Sequence, residues 1–144
     1  MRSLIRNRIF ESSELIDNLI QLNSEIEEVA KCIIYCIEQG GKVMFCGNGG
    51  SAADSQHLAA ELINRFLINR APLPGIALTT DSSVLTSIAN DFDFSEIYSK
   101  QIEALGIRGD VLVAISTSGK SENIIEALKT AKNPFIFLNV VNIL

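Results

Sequence analysis

Twice the chain passes from a short apolar, β-forming run through a glycine turn into a helical pattern, and this repeated succession limits the folds open to it. KVMFC at 42–46 leads into GNGGS at 47–51, and DVLVAI at 110–115 leads into STSGK at 116–120. Helical periodicity resumes over 52–66 after the first turn and over 121–131 after the second. GIALTT at 75–80 and the apolar run 134–141 read as two more strands, with short helices at 82–89 and 94–105 between them. Strands alternating with helices predict an α/β, three-layer sandwich: a parallel sheet flanked by helices on both faces. Loops at strand C-termini form the binding edge of such a sheet, and both glycine turns fall on that edge.

Upstream, residues 12–39 predict a helix, with Ser12 or Ser13 as cap, Ile26, Val29, Ala30, Ile33, Ile34 and Ile37 at helical spacing, and Gly40-Gly41 as the stop. The first thirty residues are expected to serve as a packing or oligomerising arm. A length of 144 residues with no linker and no solenoid-length repeat predicts one domain: N-terminal helices over 1–40 and an α/β core over 41–144. A net charge of -5 argues against a nucleic-acid-binding surface, so an anionic ligand must be met by backbone N–H groups, hydroxyls and a few local cations. No apolar run approaches the length that crosses a bilayer, and charges interrupt MRSLIRNRIF; the expectation is a soluble, cytoplasmic chain with no membrane partner. Cys32, Cys36 and Cys46 lack disulfide-framework spacing. Cys32 and Cys36, four apart, could form half a metal site, but buried thiols are the expected reading.

The two turns carry chemistry. In GNGGS, three glycines let the backbone approach a ligand, the next helix offers its N-terminal N–H groups, and Asn48 and Ser51 add side-chain hydrogen bonds. A purely structural tight turn explains the same residues. STSGKS says more, because Ser116, Thr117, Ser118 and Ser121 place four hydroxyls around one glycine between a strand and a helix, which suits a phosphate dianion. Capping by Ser118 or Ser121 would account for one hydroxyl and not for four. AISTSGKS misses the nucleotide-binding pattern GxxxxGK[ST] at its first glycine, and no acidic strand end for magnesium is evident.

On the helix after GNGGS, Asp54, His57, Glu61 and Arg65 form one polar stripe, while Leu58, Leu62 and Phe66 are expected to supply the packing. His57 and Glu61, at i and i+4, could ligate a divalent metal such as zinc, or Glu61 could transfer a proton. A solvated face with a Glu61–Arg65 ion pair is the bland alternative. His57 is the only histidine, so a complete tetrahedral site from this chain would need unusual partners. Asn90 and Asp91 read as a loop between two helices, where Asp91 either orients a sugar hydroxyl or caps the next helix.

Three segments in register, CGNGGSAADSQHLAAELINRF, ALTTDSSVLTSIANDFDF and GDVLVAISTSGKSENIIEAL, resemble the phosphoheptose (sedoheptulose 7-phosphate) isomerases of the sugar isomerase (SIS), flavodoxin-like fold. The resemblance runs from about residue 12 to residue 132. It implies contacts to the sugar from Asn48, Gly49, Gly50 and Ser51, to its hydroxyls from Asn90 and Asp91, and to the phosphate from Ser116, Thr117, Ser118 and Ser121. His57 and Glu61 match the family's zinc ligands, with Glu61 also its catalytic proton-transfer residue. The reaction implied converts D-sedoheptulose 7-phosphate to D-glycero-D-manno-heptose 7-phosphate through an enediol, for lipopolysaccharide or another surface heptose, in a homotetramer. A related non-enzymatic group shares the fold and binds the replication initiator, but carries a small residue where this chain has Glu61.

The family runs some fifty residues further, into a helix whose Gln and His complete the metal site and the acid–base pair. KNPFIFLNVVNIL also departs from the family's glycine-rich continuation. The expectation from this is a truncation or a shifted reading frame, an exposed apolar edge strand, and impaired or absent activity.

Overall fold

Unbroken apolar runs belong to strands buried on both faces, and β1 (Val43–Gly47) and β3 (Asp110–Ile115) are buried at every position. The computed structural model describes residues 1–132 in full and the backbone of 136–141. β1 and β3 pair in parallel, with Val43 opposite Val111 and Gly47 opposite Ile115. β2 (Gly75–Ala77) lies outside β1, and β4 (Ile136–Val141) outside β3, so one parallel sheet has the order β2-β1-β3-β4. The chain steps outward from β1 to β2 and returns to the other side of β1 for β3. The order therefore reverses between β1 and β3, and a crevice opens there at the strands' C-terminal ends.

Helices cover both faces. Met44, Cys46, Leu112 and Ala114 pack with Ile97, Tyr98, Ile102, Ile124, Ala127 and Ala131 into one core beneath α5 (Ser99–Leu105) and α6 (Glu122–Ala131). α3 (Gly50–Ile63) lies against β1 and β2 with Ser55 and Ala59 as its buried residues. Small residues let that helix sit close to the sheet. At the opposite edge of β1 and β3, Asp110 is fully buried and accepts from Lys42 N at 2.9 Å, Lys42 Nζ at 2.5 Å and Ile107 N at 2.8 Å. This carboxylate clamps the start of both central strands, whose far ends carry the two glycine turns.

Contacts divide the chain into two units, Met1–Cys32 and Ile33–Leu144. The first contains α1 (Arg2–Asn18), a 3-10 turn at Leu19–Leu22 and the start of α2 (Asn23–Glu38). No residue of α1 is buried, and Leu4, Ile5, Ile9, Phe10 and Ile16 stay exposed. Among the described residues, no helix is long and apolar enough to cross a membrane.

Several sequence-based boundaries change. Helix begins at Arg2 rather than at 12, so Ser12 is no cap; its hydroxyl donates back to the Arg8 carbonyl at 2.9 Å, as mid-helix serines do. α3 ends at Ile63, because Arg70 donates to the Glu61 and Leu62 carbonyls at 2.6 and 2.8 Å and closes the last turn. Phe66 thus lies outside the helix, 74% exposed, and does not pack, and Leu58 is exposed as well. Residues 94–105 split into a 3-10 turn, Phe94–Glu96, and α5. Cys36 and Cys46 are buried as expected, while Cys32 is half-buried. Cys36 Sγ lies 3.4 Å from the Lys42 carbonyl, and no group of three metal-ligating side chains occurs among the described residues. The apolar edge expected at 134–141 falls on side chains outside the described residues.

Candidate functional site

Both glycine turns emerge at the switch point. After β1 the chain reverses so tightly that a Cβ on Gly47 would meet the Ser51 carbonyl oxygen at 2.5 Å. Gly49 then takes φ +57° and ψ -119°, a conformation that only glycine adopts readily, to open α3. After β3, Ser116 Oγ accepts from Gly119 N at 3.1 Å and Ser118 Oγ accepts from Lys120 N at 3.2 Å. Each bond uses an oxygen lone pair and leaves the hydroxyl hydrogen to donate elsewhere. Ser121 is the N-cap of α6, yet its side chain makes no cap bond; its carbonyl takes the Ile124 and Ile125 N–H groups. Capping therefore does not explain its hydroxyl.

Asn48, Ser51, Ser116, Thr117, Ser118 and Ser121 line one cavity of about 60 Å³ together with Ile115. Its polar lining is hydroxyls and one amide, with the N-terminus of α6 opening at Ser121. A hollow of about 290 Å³ adjoins it, sharing Asn48 and Ser121 and adding Asp93, Phe94, Ser95, Glu122 and Asn123. Two carboxylates line that hollow, and the backbone N–H of Ser95 holds Asp93 below the usual carboxylate range. Negative charge therefore lines that hollow, while the smaller cavity is lined by no carboxylate. Exposed Lys120 has no anionic partner among the described residues. Ala114, where a nucleotide-binding loop would have its first glycine, lies buried within β3.

Asn48 is held as well as exposed to the cavity. Its Nδ2 donates to Asn123 Oδ1 at 2.9 Å, and Asn123 Nδ2 donates back to Asn48 Oδ1 at 2.8 Å. Tyr98 Oη donates to the Gly47 carbonyl at 2.5 Å and lies 3.5 Å from Asn48 Oδ1. Burial pushes the Tyr98 phenol up to about 12, so it stays protonated as this donor. Sequence reasoning missed Asn123 and Tyr98, since nothing in their spacing from Asn48 marks them as partners.

Gly49 and Gly50 are exposed and line neither cavity. Asn90 and Asp91 also line neither, and their placement is a correction: they form the last turn of α4 (Ser82–Asp91), not a loop, and Asn90 Nδ2 donates to Asp91 Oδ1 at 2.8 Å. Asp93, not Asp91, caps the next element. Along α3, His57 Nε2 lies 3.8 Å from Glu61 Oε1, beyond hydrogen-bond reach, with the imidazole 72% exposed. Glu61 Oε2 is buried with no hydrogen-bond partner. The Glu61–Arg65 pair does not form, because Arg65, past the end of the helix, donates to Asn69 instead. On this one helix His57 lies six and Glu61 ten residues beyond Ser51, so they stand about 9 and about 15 Å along its axis from the small cavity's edge.

The model of the SIS domain matches residues 10–134. A phosphoheptose isomerase of Desulfovibrio desulfuricans is 60% identical over 107 residues, 74% of this chain and 51% of that protein. One from Campylobacter concisus is 48% identical over 132 residues, 92% of this chain and 70% of its own length. The solved structure of a phosphoheptose isomerase from Francisella tularensis superposes with a TM-score of 0.84 at 38% identity, covering 97% of this chain and 75% of that one. The chain spans about half the length of the curated relatives it matches at highest identity. The domain match, the sequence identity and the superposition agree, and the chain belongs to the phosphoheptose isomerase family of SIS-domain proteins.

Proposed function

We propose that the chain binds a sugar phosphate at the β1/β3 switch point and, as a phosphoheptose isomerase, serves the interconversion of D-sedoheptulose 7-phosphate and D-glycero-D-manno-heptose 7-phosphate. The observation that carries this is the small cavity of Ser116, Thr117, Ser118, Ser121, Ser51 and Asn48, hydroxyl-lined and closed by no capping bond from Ser121. In this reading the hydroxyls and the first N–H groups of α6 hold the phosphate, and Lys120 adds a local positive charge. Asn90 and Asp91, away from both cavities, are weaker candidates for the sugar hydroxyls, and Gly49 and Gly50 contribute backbone only.

Glu61 is the proton-transfer residue of the proposal. It takes the proton from C1 of the ketose, the C1–C2 enediol forms as the C2 carbonyl oxygen gains a proton, and Glu61 returns its proton to C2 while the C1 hydroxyl releases one to leave the aldehyde. Its orphaned, buried Oε2 supports a carboxylate waiting for a partner. An imidazole nitrogen and a carboxylate one turn apart are donor types that zinc takes, so His57 and Glu61 fit as two of a tetrahedral four. When bound, the ion would polarise the sugar carbonyl. A cytoplasmic homotetramer working for lipopolysaccharide or another surface heptose completes the proposal; the exposed apolar residues of α1 support self-association.

An isomerase assay with sedoheptulose 7-phosphate tests it, with Glu61→Gln beside the unaltered chain. Loss of a positioned acid–base group is expected to lower turnover on the order of a hundredfold or more while sugar-phosphate binding is kept. Turnover that survives Glu61→Gln unchanged removes Glu61 from the mechanism.

A further inference from the structure

The part-buried pair of Asn48 and Asn123 joins the two halves of the proposed cradle, so any role for the pair in ligand binding rests on that phosphate reading. Asn48 comes directly after β1; Asn123 is in the first turn of α6, two residues after Ser121, and is 2% exposed. An asparagine amide has an acceptor oxygen and two N–H donors. The reciprocal pair at 2.9 and 2.8 Å takes the Asn48 oxygen and one of its N–H groups. Tyr98, whose single hydrogen goes to the Gly47 carbonyl, lies on the oxygen side of the same amide at 3.5 Å. The second Asn48 N–H has no partner among the described residues, and Asn48 lines the small cavity. Rotating both amides together would keep the pair but present an oxygen to the anion, so a bound phosphate selects the arrangement seen.

We infer that Asn123 is a positioning residue: by pairing with Asn48 it commits that side chain's oxygen and offers its remaining N–H to the phosphate, while locking the GNGGS turn to the start of α6. Asn123 acts on the ligand only through Asn48. The two residues therefore form one functional unit, and their removals should not add.

The test is calorimetric titration of the chain with inorganic phosphate, for the unaltered protein, Asn48→Leu, Asn123→Leu and the double substitution, with thermal midpoints alongside. A hydrogen bond to a charged group predicts a loss of about tenfold or more in phosphate affinity for each single change, with the double no weaker than Asn48→Leu alone. Unaltered affinity in Asn123→Leu, or losses that multiply in the double, overturns the positioning role while leaving the cradle standing. Absence of phosphate binding by the unaltered chain overturns the cradle itself, and this inference with it. If Asn123→Leu does not fold, Asn123→Ser keeps a small polar group; an intermediate loss supports the inference and an unchanged affinity overturns it.

Discussion

Replacing Asp110 with alanine tests how the sheet sets the site. The carboxylate is fully buried and accepts three hydrogen bonds, from the Lys42 and Ile107 backbone N–H groups and from Lys42 Nζ. Alanine leaves two backbone donors and an ammonium without their acceptor. Hydrogen bonds to a charged group are worth about 1.5–3 kcal/mol each, and the Lys42 side chain, 26% exposed, can recover part of its loss in water. Breaking a buried pair from one side costs about 3–5 kcal/mol, and about 4 kcal/mol is the value expected here. With a urea dependence of about 2 kcal/mol per molar, the denaturation midpoint should fall by about 2 M. Lys42→Met leaves the fully buried carboxylate with two backbone N–H groups and no counter-charge, so it should also cost several kcal/mol, about 3. A midpoint shift for Asp110→Ala below about 0.5 M would refute the clamp.

Single contacts elsewhere have consequences of their own. Ser121→Ala should leave stability within about 0.5 kcal/mol, because its hydroxyl makes no cap bond, yet should weaken inorganic phosphate binding measured by calorimetry. Gly47→Ala forces a Cβ against the Ser51 carbonyl oxygen and should lower the urea-derived stability by about 2 kcal/mol or more. Burial pushes Cys46 from an ordinary 9.0, and Tyr98 from 10.0, up to about 12 each. Raised values mean that the folded state keeps protons the unfolded state releases, so stability is intact below pH 9 and declines from pH 9 toward 12. Thermal midpoints at pH 8 and 10.5 check this, and an unchanged midpoint would count against the burial of both groups.

The fold was legible because its signals were strong ones. The runs at 42–46 and 110–115 could only be buried strands once each led through a glycine turn into a helix, and β3 spans the predicted residues. The hydroxyl-lined cavity was legible for a related reason: hydroxyls crowd around one glycine at a place where the topology exposes them. Partnerships across the fold were not legible. Asn48 and Asn123 meet only because β1 and α6 flank the same switch point, and no local pattern records a separation of 75 residues. α3 misled for a different reason: its apolar spacing reads on through Phe66, but Arg70 closes the helix at Ile63 from outside the periodic segment. Likewise, the asparagine and aspartate at 90 and 91 look like turn residues, yet the helix capped by Asp81 carries on through them.

Titrating the 15N-labelled chain with sedoheptulose 7-phosphate, and monitoring its backbone amide resonances, tests the central claim most directly. A phosphate held at the switch point predicts saturable shifts concentrated at residues 47–51 and 116–123, on both sides of the crevice, and no such shifts with unphosphorylated sedoheptulose at the same concentration. Shifts confined to other segments, or equal shifts with the unphosphorylated sugar, would contradict it.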